Sequence, residues 1–138
     1  KAIIEKYFAE IPTRPAVEPI KPQPGKVAET VKLMHEDNFA QLAELNLVWP
    51  TVEEGHADDY ALQYLGQILS QGKRAPLYKE LVENKKLAPQ PNAFQQSSEI
   101  AGVFRVGVRA NANVDLDSVY SSVFTAFTNF EKNGVDDK

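Results

Sequence analysis

Two histidines are the first candidates for chemistry in this sequence: His35 in the stretch LMHEDNF and His56 in EEGHADDY. A zinc site built on one helix needs two His on the same face with a Glu beside them, in the order HExxH or HxxEH. Phe39 occupies the position that a second ligand would need after His35, and Tyr60 does so after His56. The sequence therefore predicts neither a metal site nor a metal-based catalytic set in this chain.

Neighbouring acids and the serines are the next candidates. Glu53–Glu54 and Asp58–Asp59 could work as paired carboxylates in acid–base catalysis. Adjacent acids at the start of a helix more often cap that helix, and we interpret them so. The serines stand in no GxSxG turn, and GQILSQGKR lacks the GxxxxGK[ST] pattern of a phosphate loop. The sequence thus predicts no catalytic residue in this chain.

Arg105 and Arg109 lie on the same face of the alternating run EIAGVFRVGVRAN. Two guanidinium groups in this arrangement could bind a carboxylate or the anionic end of a peptide. The alternative is an ordinary solvated sheet face. The residue types alone leave both interpretations open.

Composition excludes several other classes. The 138 residues carry a net charge of -4, and the basic residues alternate with acids, as in LYKELVENKKLA. Nucleic-acid binding needs a basic stripe, so nucleic acid is not predicted as a partner. The absence of an apolar run of about 18 residues predicts no membrane span. With no cysteine, disulfides and thiolate catalysis are excluded.

Apolar periodicity predicts the elements of the first half. Residues 1–9 have helical spacing, and the proline-rich residues from about 12 to 25 form a linker. Residues 27–35 and 42–50 alternate and predict an antiparallel hairpin that Pro50 closes. The first strand sets Val31, Leu33 and His35 against Thr30, Lys32 and Met34, and the second places Ala43, Leu45, Leu47 and Trp49 on one face.

The second half is predicted to contain helices over 55–72, 75–86 and 115–134 and strands over 92–98 and 99–111. Asp115 is the expected N-cap of the last helix and Gly134 its stop. The inward residues are predicted to be Tyr60, Ala61, Tyr64, Leu65, Ile68 and Leu69 in the first helix, and Leu77, Leu81 and Val82 in the second, with Lys79, Glu80 and Glu83 outward. Along the last helix the stripe is Leu116, Val119, Tyr120, Val123, Phe127 and Phe130.

The resulting order is αββααββα. Helices on one face of an antiparallel sheet make a two-layer α+β sandwich, which is the predicted fold class. The length fits one domain over residues 1–138. The sequence begins without an initiator Met and inside a predicted helix, so we expect a fragment of a longer chain.

Several motifs, taken in order, resemble one family. YFAEIPTRPAVEP resembles the helix end and proline linker that open the second domain of M16 zinc peptidases, the insulinase, pitrilysin and mitochondrial-processing-peptidase family. Residues 45–88 resemble its central block, in which HPDxxAL precedes a glycine-rich turn and SSRLYxxLRExxxLAY. EIAGVFRVGVRANANVDLDSV is similar to its closing GxFxI strand and VDxxxV helix. The likeness spans nearly the whole chain.

This resemblance implies a function that the residues alone do not. An M16 half-unit has two similar α+β domains, and two half-units close around a chamber. The HxxEH zinc helix lies in the first domain, so zinc and catalysis are expected upstream of Lys1 in the parent protein and no cofactor in this chain. The implied partners are that upstream domain, a second half-unit and the peptide substrate of the parent. Members occur in the bacterial periplasm or cell envelope and in the cytoplasm, which leaves the compartment open.

Departures from the family pattern limit what carries over. Some second domains have an Arg and, seven residues later, a Tyr that reach the bound peptide; here those positions are Val82 and Pro89. The Arg of SSRLY falls at Pro76, whereas Tyr78 is kept as a candidate substrate contact beside Arg105 and Arg109. We therefore expect a non-catalytic domain that builds the chamber wall and the half-unit interface. The alternative is part of a catalytically inactive structural or partner subunit.

Overall fold

A computed structural model of the chain describes residues 1–12 and 14–134. Thr13, within the predicted linker, and residues 135–138 lie outside the described residues. The helices are α1 (Ala2–Phe8), α2 (Ala57–Ser70), α3 (Pro76–Tyr78), which continues as the π-helical segment Lys79–Asn84, and α4 (Leu116–Asn133). The strands are β1 (Glu44–Thr51), β2 (Pro91–Ser97) and β3 (Gly102–Arg109).

The sheet is antiparallel and has the strand order β1-β3-β2. In β1, Glu44 pairs with Arg109 and Thr51 with Gly102, and β2 pairs with the same strand from Pro91 opposite Val108. The central strand β3 has the strongest alternation in the sequence. It directs Phe104, Val106 and Val108 into the core and Arg105 and Arg109 away from it, as predicted.

Helices α2, α3 and α4 cover one face of this sheet, whereas α1 has no buried residue. In α2, Gly66 packs so closely on β2 that a Cβ there would lie 2.9 Å from the Ala93 carbonyl oxygen. In α4, Phe127 lies 6.2 Å, between ring centroids, from Trp49 of β1. The short α3 packs against both α2 and α4. The prediction of an α+β fold with helices on one face of an antiparallel sheet is confirmed.

Helix ends follow their capping residues. Asp115 Oδ2 accepts a hydrogen bond from Ser118 N at 3.0 Å, and Gly134 ends α4 with φ 69°. The predicted N-cap and C-terminal stop of that helix are therefore both confirmed. The cap of α2 is His56, whose Nδ1 accepts from Asp58 N at 3.1 Å. An imidazole therefore caps α2 in place of the acids that follow it.

The first strand of the predicted hairpin is wrong. Residues 26–43 carry no helix or strand, and Val31 and Leu33 are exposed. Alternation supplies an apolar face, but a strand exists only where its backbone is paired, and in the structure these residues stand off the edge of β1 and pair with no strand. The second strand of the hairpin is present as β1, with Leu45 and Leu47 packed against the core.

The predicted inward stripe of α2 is partly right and partly rotated in the structure. Leu69 is buried and Leu65 packs against the core, as predicted, but Tyr60 and Tyr64 are each 66% exposed, and Asp59 and Gly66 are buried instead. Two local contacts decide this rotation: the close approach of Gly66 to β2, and a 2.5 Å hydrogen bond from Ser97 Oγ to Asp59 Oδ1. Periodicity found the helix but misjudged which of its flanks faces the sheet.

Glu80 was predicted to point outward and is buried instead. The chain winds as a π-helix from Lys79, with Lys85 N bonded to the Glu80 carbonyl at 3.1 Å, so side chains leave the 3.6-residue period. The Glu80 carboxylate receives Lys85 Nζ at 2.9 Å and Asn84 Nδ2 at 3.2 Å. These contacts, that with Lys85 first, lower the pKa of Glu80. Leu77 and Leu81 are buried as predicted.

Candidate functional site

The face of the sheet that carries no helix holds both candidate arginines, together with the exposed apolar side chains of Val48 and Phe94, which lie opposite Arg105 on the flanking strands. Arg105 and Arg109 alternate outward from β3, which places them beside Glu44 of β1. Arg109 Nη2 lies 3.3 Å from Glu44 Oε2, and Arg105 Nη2 lies 3.5 Å from Glu44 Oε1. One carboxylate thus bridges two guanidinium groups. Together, Glu44, Arg105 and Arg109 carry a net charge of +1.

An asparagine completes this arrangement. Asn46 Oδ1 accepts from Arg105 Nε at 2.9 Å and from Nη2 at 2.6 Å, while its Nδ2 donates to Glu44 Oε1 at 3.0 Å. The Asn46 hydrogen bond, and after it the one from Arg109, lowers the pKa of Glu44. Glu44 therefore stays ionised and holds the guanidinium planes in place.

Gly107 forms the floor between the two arginines. A Cβ at this position would lie 2.7 Å from Asn92 Oδ1 and 3.3 Å from Asn46 Oδ1, so two amides from the flanking strands close over it. A glycine inside a strand often marks the close approach of another group. The center of the face therefore offers carboxamides and guanidiniums, which are groups that pair with peptide bonds and carboxylates.

Sequence reasoning selected the arginines but missed Glu44, Asn46 and Asn92. The alternation of β1 already placed Glu44 and Asn46 outward, opposite the inward Leu45 and Leu47. The register with β3 was the missing information, because the sequence does not state which strands pair. Sequence alone therefore could not choose between a solvated face and a carboxylate site.

Tyr78 lies away from the arginines. It is half-buried in α3, in the helix layer on the opposite side of the sheet. Val82, in the π-helical segment, is also half-buried, and Pro89 is exposed in the loop before β2. The structure thus brings Arg105 and Arg109 together and separates them from Tyr78.

Two of the remaining titratable candidates, Asp59 and His56, have structural partners. Asp59 accepts hydrogen bonds from Ser97 Oγ, from Gln63 Nε2 at 3.2 Å and from Gly55 N at 3.4 Å, and those from Ser97 and Gln63 lower its pKa most. His56 caps α2, and His35 is exposed. Across residues 1–12 and 14–134 there is no group of three or more His, Cys, Asp or Glu that could hold a metal ion.

A concavity lies in the helix layer, where the end of α2, α3 and the end of α4 meet. Its volume is about 740 Å³. Ile68, Pro76 and Phe130 line its apolar part, and Arg74 and Lys79 its basic part. In the portion of the chain that the structure describes, no helix is both long and apolar enough to cross a bilayer.

Comparison with known proteins identifies the family. The family described as "Peptidase M16 inactive domain" matches residues 1–138, so this chain belongs to it. The family match confirms the resemblance drawn from the motifs, and it makes the chain a non-catalytic M16 domain. No curated protein matches the chain.

Two solved structures share the fold. A protease from Helicobacter pylori aligns with a TM-score of 0.66 and 23% identity over 73% of this chain and 24% of its own. A peptidase M16 inactive domain from Pseudomonas fluorescens aligns with a TM-score of 0.60 and 21% identity, covering 69% of this chain and 23% of the other. The chain thus spans about a quarter of these relatives.

Proposed function

We propose that this chain is a supporting domain of an M16-like zinc metalloendopeptidase, in which it forms part of the chamber wall and of the interface between half-units. The observation that carries this proposal is the division of the sheet into two unlike faces. One face is covered by α2, α3 and α4, and the other is open and mixed, with Arg105, Arg109 and Asn92 beside the apolar Val48 and Phe94. A wall element needs such a pair of faces, one for packing and one for the enclosed solvent.

The open face is the proposed point of contact with substrate. Arg105 and Arg109 can take a carboxylate of a peptide in exchange for part of their pairing with Glu44, since both guanidinium groups keep further N–H donors. Exposure supports this role, because the Arg109 side chain is 66% exposed and that of Arg105 is 41% exposed. Tyr78, on the other side of the sheet, is proposed to act in packing between domains.

Zinc does not fit the described residues of this chain, which offer no ligand cluster. The proposed metal site therefore belongs to an upstream domain of the parent protein, with an HxxEH helix. This chain contributes position and surface to the reaction, and no step of metal chemistry is assigned to it.

A second function is an inactive structural or partner subunit. The observation behind it is the pair Val82 and Pro89, which stands where some second domains have a substrate-reaching Arg and Tyr. The same pair also fits a domain whose partner half-unit supplies those two residues. The state of the upstream domain separates the two possibilities.

The deciding experiment uses the complete natural protein. Its sequence over about 200 residues before Lys1, the length of one domain, is read for HxxEH and a distant Glu. The purified protein is then assayed on unstructured peptides with and without a zinc chelator. Chelator-sensitive cleavage supports the peptidase, and an M16 first domain without HxxEH and without cleavage supports the inactive subunit. Absence of any such domain contradicts both proposals.

The role of the open face is tested in the same assay. Replacing both Arg105 and Arg109 by Ala should raise KM for peptides that carry carboxylates and leave kcat close to that of the parent. Arg74→Ala, in the helix layer, is the matched control. An unchanged KM in the double variant would remove this face from substrate contact.

A further inference from the structure

The alternating pattern within residues 30–35 has no role in the fold. Residues 30–35, called the strap, alternate polar and apolar side chains from Thr30 to Leu33, where Met34 interrupts the pattern, yet they form no strand. Val31 is 66% exposed and Leu33 is 89% exposed. Because leaving such side chains in water forgoes their burial energy, a second position of the strap that covers them would be favoured.

The outer edge of β1 is open. Ala110 N donates to the Ala43 carbonyl at 2.9 Å, and this bond sets the alternation of the antiparallel pair. The odd-numbered residues of β1 therefore bond to β3, and Glu44, Asn46 and Val48 point their N–H and C=O groups to the free edge. Pro50, which has no N–H, occupies the same edge, where its missing donor costs least.

The chain before the strap is held beside this edge, and the chain after it forms a turn before it continues into β1. On the way in, Gln23 N donates to the Ile100 carbonyl at 2.7 Å, and a Cβ on Gly25 would lie 3.3 Å from Cβ of Pro50. On the way out, Ala40 N donates to the Asp37 carbonyl at 3.3 Å, forming a turn. The chain thus reaches β1 near Pro50, at the C-terminal end of the strand, and enters the strand itself at Glu44. The strap between them therefore runs antiparallel to β1.

An aromatic stripe lies beside the same edge. Tyr120, Phe124 and Phe127 follow one flank of α4, with ring centroids 4.7 and 5.8 Å apart, and Phe127 contacts Trp49. The other flank of α4 meets α3. Tyr120 and Phe124 remain about 40% exposed, so apolar side chains arriving at the edge of β1 would cover them.

We propose that the strap closes onto the free edge of β1 as a fourth, antiparallel strand. Alternation restricts the register to steps of two residues. In the proposed register Lys32 pairs opposite Asn46 through backbone hydrogen bonds, while Val31 lies opposite Leu47 and Leu33 opposite Leu45. Both apolar side chains then join the helix-covered face beside the aromatic stripe. This register leaves residues 36–42 as the connecting loop, which contains the turn at Asp37.

Closure breaks one contact of the open form. Lys32 Nζ lies 3.2 Å from Asp117 Oδ1, and both side chains are more than 70% exposed. Such a surface pair contributes little to stability. On closing, the strap gains main-chain hydrogen bonds and buries apolar surface, and both oppose the entropy cost of ordering it. The edge of β1 is thereby protected from pairing with another chain.

Cysteine pairs test the register directly, since the chain has no cysteine of its own. Opposite residues of a non-hydrogen-bonded pair have Cα atoms about 4.5 Å apart, within disulfide range. Under mild oxidation, Val31→Cys with Leu47→Cys should form an intramolecular disulfide, and Lys32→Cys with Leu47→Cys, shifted by one residue, should not. No bond in the first pair, equal bonding in both, or a disulfide-linked dimer would each overturn the proposal.

Amide hydrogen exchange tests the strap without touching β1. The amides of Glu44, Asn46 and Val48 should exchange roughly tenfold or more slowly in the parent chain than in Lys32→Pro, which lacks the N–H that pairs with Asn46. Lys32→Ala removes the same ion pair but keeps that N–H, so it should retain the protection. If these three amides exchange equally fast in all three chains, the edge is open and the strap does not close.

Discussion

The apolar side chains before Glu44 and those after it differ in what covers them. Every residue of the hydrophobic core lies at position 45 or beyond, and Leu77, Leu81 and Val106 are fully buried. Among the described residues before Glu44, Ile3 and Phe39 are as apolar but largely exposed. The apolar fraction is similar in the two regions, so burial follows from the sheet and its helices. The first region needs a cover that the second region already has.

A pair of phenylalanines gives the sharpest test of this contrast. Phe104→Ala should lower the free energy of unfolding by about 3–5 kcal/mol, because Phe104 lies in the core against Trp49. Phe39→Ala removes the same atoms from an exposed side chain and should change the free energy of unfolding by less than about 0.5 kcal/mol. Urea denaturation measures both, and comparable losses would mean that the first region is packed in solution.

Glycines extend the comparison to backbone contacts. Gly66→Ala should cost about 1–3 kcal/mol of unfolding free energy, because its Cβ would meet the main chain of β2 at Ala93 and Phe94. Gly25→Ala, in the first region, meets the Pro50 side chain and should change stability by no more than about 1 kcal/mol. A tolerated Gly66→Ala would show that α2 sits farther from the sheet.

The smallest expected effect is a pH dependence. The pKa of Asp59 is lowered in the fold, chiefly by Ser97, so its stabilisation is complete above the ordinary Asp pKa and is lost as the pH falls through the lower folded value. Asp59→Asn should therefore reduce Tm at neutral pH and flatten the fall in Tm below about pH 4. Asp58→Asn, at the exposed neighbour, is the control. An identical acid profile in parent and Asp59→Asn would exclude this network as its source.

Sequence predicted the elements that carry their own information. Alternation in β3 and the caps of α4 at Asp115 and Gly134 are local signals, and the structure agrees with them. The strand β2 has a weak pattern, PNAFQQS, and exists because β3 offers it a full edge. Which strands pair, and which face of the sheet is covered, are properties of the assembled sheet. They therefore cannot be predicted from neighbouring residues in the sequence.

The open face shows the same division. Arg105 and Arg109 could be selected from residue type and parity alone. Their partners Glu44 and Asn46 are about 60 positions earlier, and the register of β1 against β3 is what brings them together. The burial of Glu80 was mispredicted for another reason. The prediction assumed a 3.6-residue period, and the π-helical winding departs from that period.

The position of Trp49 gives the molecule an internal fluorescent reporter. This indole is the one tryptophan of the sequence, and its ring touches Phe104 of β3 and Phe127 of α4. Its emission therefore senses whether α4 is seated on the sheet, and α1 could unwind without altering it. Emission spectra recorded along an unfolding curve would thus time the separation of the two layers, independently of total helix content.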